Sequence, residues 1–179
     1  MNAGELRERV TILSLTEADG TYSWTPSRLT WAAVEEKTGK NLVSSIGLGA
    51  RSVALTLRRQ ALTLRQAILW RGRHCFLTDI RDNGRLYWDV DAALVTPVTC
   101  RSEGVTFPAV RTEKYLGWNR DVPPMSQNEY VYVLVAPKAV PQLTPGGLVA
   151  VEGAEWEIRV AHTLDEYKNE YEIARTVEL

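Results

Sequence analysis

A pattern that occurs twice constrains this 179-residue chain more than any other feature. Residues 66–95 read QAILWRGRHCFLTDIRDNGRLYWDVDAALV, and residues 146–177 read GGLVAVEGAEWEIRVAHTLDEYKNEYEIARTV. Each opens on a short apolar run, Ala67 to Trp70 or Leu148 to Val151, and turns at a central glycine, Gly72 or Gly153. A second strand follows, then a polar hairpin, then an apolar and aromatic run from Leu86 to Val95 or Tyr171 to Val177. The glycines lie 81 positions apart, and the pairs Leu62-Thr63 and Leu143-Thr144 keep that spacing. Past the first hairpin, Tyr87 to Val90 matches Glu170 to Ile173 best, an offset of 83, so the second hairpin is expected to have gained two residues at its tip. Insertions at exposed tips cost little free energy. The pattern predicts a tandem duplication.

The rest of the chain fits the same all-β plan. Arg9 to Leu15 alternates apolar and polar residues, Asp19-Gly20 is a hairpin signal, and Leu29 to Glu36 and Ser52 to Leu57 read as strands. Tyr130 to Ala136, almost wholly β-branched or aromatic, is the strongest strand pattern and is expected to be central, with one of its two faces buried. Pro137, Pro141 and Pro145 disfavour helix in the span that follows. The predicted fold is therefore all-β and mainly antiparallel. It comprises two tandem small β-barrel or sandwich domains, residues 1–100 and 101–179, with long loops and at most one or two short helices. The stretch TPVTCRSEG reads as the linker between them, and residues 114–129 as a long loop. Lys37 to Ala50 reads as a projecting loop with apolar points.

Chemistry is sparse. Neither His74 nor His162 sits at metal-ligand spacing, and both are expected at the surface. Cys75 and Cys100 lack CxxC spacing and read as structural thiols. Carboxylate pairs such as Asp89 and Asp91, or Glu155 and Glu157, share one face of a strand and read as solvated faces. No phosphate-binding glycine motif occurs, and no nucleophile, base and orienter can be assembled. The expectation is a non-enzyme with no cofactor and no metal. No apolar run approaches the roughly 20 residues of a bilayer span, and the start lacks the apolar centre of a signal peptide, so the protein is expected to act inside the cell that makes it.

Charge is the one polarised feature. Residues 1–100 carry 13 Lys and Arg against 10 Asp and Glu, a net +3, whereas residues 101–179 carry 8 against 12, a net −4. No acid lies between Glu36 and Asp79, a span holding Lys37, Lys40, Arg51, Arg58, Arg59, Arg65, Arg71 and Arg73. Such a stretch can serve phosphate contact or an acidic protein surface. The candidate contact residues are Arg51, Arg58, Arg59, Arg65, Arg71 and Arg73 on the basic side, and Glu152, Glu155 and Glu157 on the acidic side.

Four segments together resemble the head-tail joining proteins of tailed bacteriophages, also called head closure or stopper proteins. They are AGELRERVTIL (Gly4, Leu6, Arg7, Arg9 and Val10), Trp31-Ala32-Ala33-Val34 followed by Thr38-Gly39-Lys40, the basic strand ARSVALTLRRQ, and the Arg71-Gly72-Arg73 hairpin. The resemblance covers residues 3 to about 95; the second copy lacks the Trp-Ala-x-Val signature, and the chain continues beyond the family's usual single domain. It implies a small β-barrel that assembles as a ring in the virion neck, between a twelvefold portal or its adaptor and a sixfold tail with its terminator. Packaged double-stranded DNA would pass through that ring without sequence readout. The loop, with Lys37, Lys40, Asn41, Leu42, Val43, Ile46 and Leu48, would face the channel or a neighbouring ring. Six chains are favoured, twelve possible, and the location implied is the virion, after synthesis in the host cytoplasm. The alternative is a non-enzymatic nucleic-acid-binding β-barrel that uses the arginine-rich first domain directly.

Overall fold

The computed structural model describes residues 3–40, 51–113 and 129–176, which form twelve strands and one 3₁₀ turn, Ala3–Glu5. The strands are β1 (Glu8–Ala18), β2 (Thr21–Lys40), β3 (Arg51–Arg58), β4 (Ala67–Trp70), β5 (Arg73–Asn83), β6 (Tyr87–Val95), β7 (Pro97–Ser102), β8 (Val105–Glu113), β9 (Glu129–Pro137), β10 (Leu148–Val151), β11 (Ala154–His162) and β12 (Lys168–Thr176). The fold is all-β and mainly antiparallel, as its alternating sequence predicts. Two compact units divide at Thr96 and Pro97, with the hairpin tip Asp19–Tyr22 grouped with the second. The stretch expected to be a linker is therefore strand β7 and a turn, because Pro97 to Ser102 pair residue for residue with Val110 to Val105.

In the first unit the order is β1-β4-β5-β6-β3-β2, and β1 pairs with β2 to close the ring. The second runs β7-β10-β11-β12-β9-β8, closed in turn by β7 on β8. Counting strands from the start of each unit, both orders are 1-4-5-6-3-2. Closure removes sheet edges that would otherwise pair with other chains.

The two units also share their register. Ile68 pairs with Cys75 in the first, and Val149 with Trp156 in the second, both 81 positions on. Each unit has a register shift in the following hairpin, at the residue between Leu77 and Asp79 and at the one between Ile158 and Val160, again 81 apart. A β-bulge adds an unpaired residue and strengthens the twist a small barrel needs. Outside the ladders, the Gln66 amide donates to Thr63 O and the Gly147 amide to Thr144 O, while those of Arg59 and Lys138 donate to Leu86 O and Tyr167 O.

This register corrects the offset of 83. Ile80 pairs with Val90 after the bulge, and Ala161 with Tyr171, so Val90 corresponds to Tyr171 and the second hairpin has gained nothing. Side-chain likeness misled because the copies conserve burial, not identity. Val90 and Tyr171 are both buried, as are Ala92 and Ile173. Where the first barrel places Trp70, Cys75 and Val90 inside, the second places Val151, Trp156 and Tyr171, trading bulk between positions so that each interior is filled.

β9 buries Leu134 and Ala136 on its inner face, at the positions of Leu55 and Leu57, but Val135 on the opposite face is buried as well. The expectation that only one face is buried therefore fails: Val135 lies opposite buried Val110 of β8, and apolar residues cover both sides of the strand there.

Four hairpins turn on two residues at positive φ, Asp19-Gly20, Arg71-Gly72, Glu103-Gly104 and Glu152-Gly153. Such turns match the strand twist, and only glycine enters them without strain. Gly72→Val and Gly153→Val are each expected to cost about 1–3 kcal/mol. Gly4→Ala, which meets nothing within 4 Å, should stay within about 0.5 kcal/mol. Urea denaturation of the three variants checks this.

Candidate assembly surface

Five of the eight basic residues in the long span are paired in three dimensions with acids from other strands. Lys37 Nζ lies 2.9 Å from Asp91, Arg51 3.8 Å from Glu36, and Arg71 2.5 Å from Glu8; Arg59 pairs with Asp82 and Arg73 with Glu36. Three of these arginines also cover tryptophan rings, Arg59 over Trp88 at 4.3 Å, and Arg71 and Arg73 over Trp70 at 5.1 and 4.4 Å. The guanidinium of Arg71 and the indole N–H of Trp70 hold the Glu8 carboxyl below its ordinary range. Arg73 does the same for Glu36, and amide and hydroxyl donation from Asn83 and Thr56 for Asp89. Among the described residues, Arg58 and Arg65 make no ion pair.

Lys37 is not in a loop. β2 runs to Lys40, whose backbone pairs opposite Arg51, because the Glu36 pairs with Arg51 and Arg73 tie this end of β2 to β3 and β5. Asn41, Leu42, Val43, Ile46 and Leu48 lie outside the described residues, as does most of the expected 114–129 loop.

Trp31, half exposed, and Leu29 stand on the outer face of β2, because Ala32 and Val34 point into the barrel. Trp31, Arg58, Leu6 and Thr30 line an open depression, and Arg9 lies 5.9 Å from the Trp31 ring. Sequence reasoning placed Arg58 here but read Trp31 only as part of a strand signature. The alternation around Ala32 was the available signal that it points outward.

On the second barrel, Glu155 and Glu157 of β11 lie opposite Ala150 and Leu148 of β10, on the outer face. Leu148 is 57% exposed and Val160 38%. Arg159 lies 3.2 Å from Glu157, and Arg101 of β7 lies opposite Ala150. Glu152, at the turn, is 3.5 Å from Arg111.

The equivalent outer face of the first barrel is closed. Ala67 and His74, at the positions of Leu148 and Glu155, are buried, and the Trp24 ring lies over His74 at 5.4 Å. Trp24 is carried by the long β1–β2 hairpin, whose strands run 11 and 20 residues against 6 and 9 in β7 and β8. His74 is thus not at the surface, and burial pulls its pKa down to about 4. His162 is exposed, 3.5 Å from Glu172.

The two thiols are buried and free, pushed up to about 11 for Cys75 and about 12 for Cys100 by desolvation, which suppresses the reactive thiolate. Among the described residues no group of three or more His, Cys, Asp or Glu is placed to hold a metal ion. Comparison with protein families, curated proteins and solved structures finds no match to this chain.

Proposed function

We propose that this chain is a structural protein of a tailed-phage neck, forming a ring between portal and tail around the DNA channel. The ring would help retain packaged DNA and present the surface to which the tail attaches. The carrying observation is that one chain holds two closed barrels of the same strand order and register. Together with the head-tail joining motifs of the first barrel, this suits a junction between sixfold and twelvefold symmetry. Six chains would bring twelve barrels, as one pseudo-twelvefold ring or as two stacked sixfold rings. Neutralisation of Lys37, Arg51, Arg59, Arg71 and Arg73 by acids of the same chain favours this reading over direct phosphate binding.

Phage particles made without the protein are expected to be DNA-filled or leaking heads lacking tails, and complementation with the full chain should restore joining. Normal tailed particles in its absence would contradict the proposal. A gel shift at micromolar or lower protein, falling steeply as salt rises, would favour the nucleic-acid-binding alternative.

A further inference from the structure

One row on the outer face of the first barrel alternates arginines with aromatic rings. Arg58 of β3 lies opposite Tyr87 of β6, and Trp31 of β2 shares a depression with Arg58, continuing the ladder that pairs Ala32 with Leu57. Arg9 of β1, the strand that closes the barrel against β2, lies 5.9 Å from the Trp31 ring. The row therefore reads Arg9, Trp31, Arg58, Tyr87 across four neighbouring strands. The next row on this face holds Ala33, Thr56 and Asp89, and the one after it Glu35, Ala54 and Asp91. Asp89 accepts from Thr56 and Asn83, and Asp91 pairs with Lys37 and Arg81. By contrast, Arg9 and Arg58 make no ion pair among the described residues, and Trp31 between them is half exposed.

We infer that this row docks an acidic segment of a neighbouring virion protein, with two carboxylates on Arg9 and Arg58 and an apolar side chain between them on Trp31. The inference rests on the neck reading and names the chemistry of a partner the ring would hold. Free guanidinium groups on either side of an exposed ring match anionic groups on either side of an apolar one. β1 and β3 lie two strand spacings apart, about 10 Å, which an extended chain spans in about three residues. The closed barrel offers no edge for strand addition, so side chains must hold the partner. Packaged duplex DNA is a poorer occupant. Its base faces are stacked inside the helix, which leaves Trp31 unused, and two arginines supply only about two phosphate contacts. A second copy of this chain is also a poorer occupant, because its Glu152 and Glu157 are already held by Arg111 and Arg159.

The probe is the tetrapeptide Glu-Pro-Leu-Glu, blocked at both ends and titrated calorimetrically into the full chain beside its Gln-Pro-Leu-Gln counterpart. The acidic peptide should bind with a Kd below about 1 mM, and the glutamine peptide about tenfold more weakly. Arg9→Gln and Arg58→Gln should each weaken binding about threefold to fivefold, and Trp31→Ala about tenfold. Arg65→Gln removes another arginine without an ion pair and should change nothing. Native mass spectrometry of the same variants should give the wild-type stoichiometry. Equal affinity for the two peptides, no binding of either, or an equal loss in Arg65→Gln would overturn the site. Tighter binding of oligothymidylate or duplex DNA, lost in Arg58→Gln, would overturn it in favour of nucleic acid. Rings that fall apart in Trp31→Ala would overturn it in favour of a second copy and leave the ring reading standing. A wild-type chain that binds the peptide but stays monomeric would overturn the ring reading and leave the acidic-segment site.

Discussion

Tyr171→Ala is expected to lower the unfolding free energy by about 3–5 kcal/mol, with Leu134→Ala next at about 2–5. Tyr171 is completely buried inside the second barrel, and its hydroxyl accepts the Leu143 amide at 3.1 Å. Truncation removes a completely buried ring from the position that Val90 holds in the first barrel, and it strips a buried N–H of its acceptor. Tyr171→Phe separates the two contributions. It keeps the ring and should cost about 1–3 kcal/mol, the penalty of an unsatisfied buried donor. Guanidinium denaturation measures all three, and a loss below about 1 kcal/mol for Tyr171→Ala would show that the interior is not packed as described.

Acidification is expected to destabilise the protein through His74 before its carboxylates respond. The native pKa is about 4 because burial beside Trp24 disfavours the imidazolium, whereas the unfolded residue titrates near 6.5. Between those values the unfolded chain binds a proton that the native chain does not. The contribution is therefore fully present above about pH 6.5 and is lost progressively as pH falls towards 4, reaching about 3 kcal/mol. Glu8, Glu36 and Asp89, held below their ordinary ranges, add stability that disappears lower, as pH falls through their native values. His74→Leu should flatten stability between pH 6.5 and 4.5 and leave the lower limb in place. An equal slope in variant and wild type would place the titrating group elsewhere.

Much of this fold is legible in short-range pattern. The glycine hairpins, the 81-residue spacing and the alternation of Val53, Leu55 and Leu57 lead to strands and to a repeated meander. What escapes the pattern depends on contacts far apart in sequence. Arg71 and Arg73 read as an unopposed basic cluster until Glu8 and Glu36, distant along the chain, are set beside them by β1–β4 pairing and barrel closure. His74 reads as a surface residue until the long first hairpin lays Trp24 over it. The third strand of the repeat was misaligned because Tyr171 looks like Tyr87 or Trp88, yet it does the packing of Val90. The candidate site was half legible: the charges of Arg58, Glu155 and Glu157 stand out, whereas the exposure of Trp31 and Leu148 follows only from which neighbours point inward.

The most direct measurement of the central claim is the stoichiometry of the purified full chain by native mass spectrometry, with symmetry analysis of particle images. Closed rings of six chains, twelve barrels in all, are expected, and contacts between the net-positive first copy of one chain and the net-negative second copy of the next should weaken as salt rises. Rings of twelve chains would contradict the use of two barrels per chain to match symmetries, and a chain that remains monomeric at every concentration would contradict the neck account altogether.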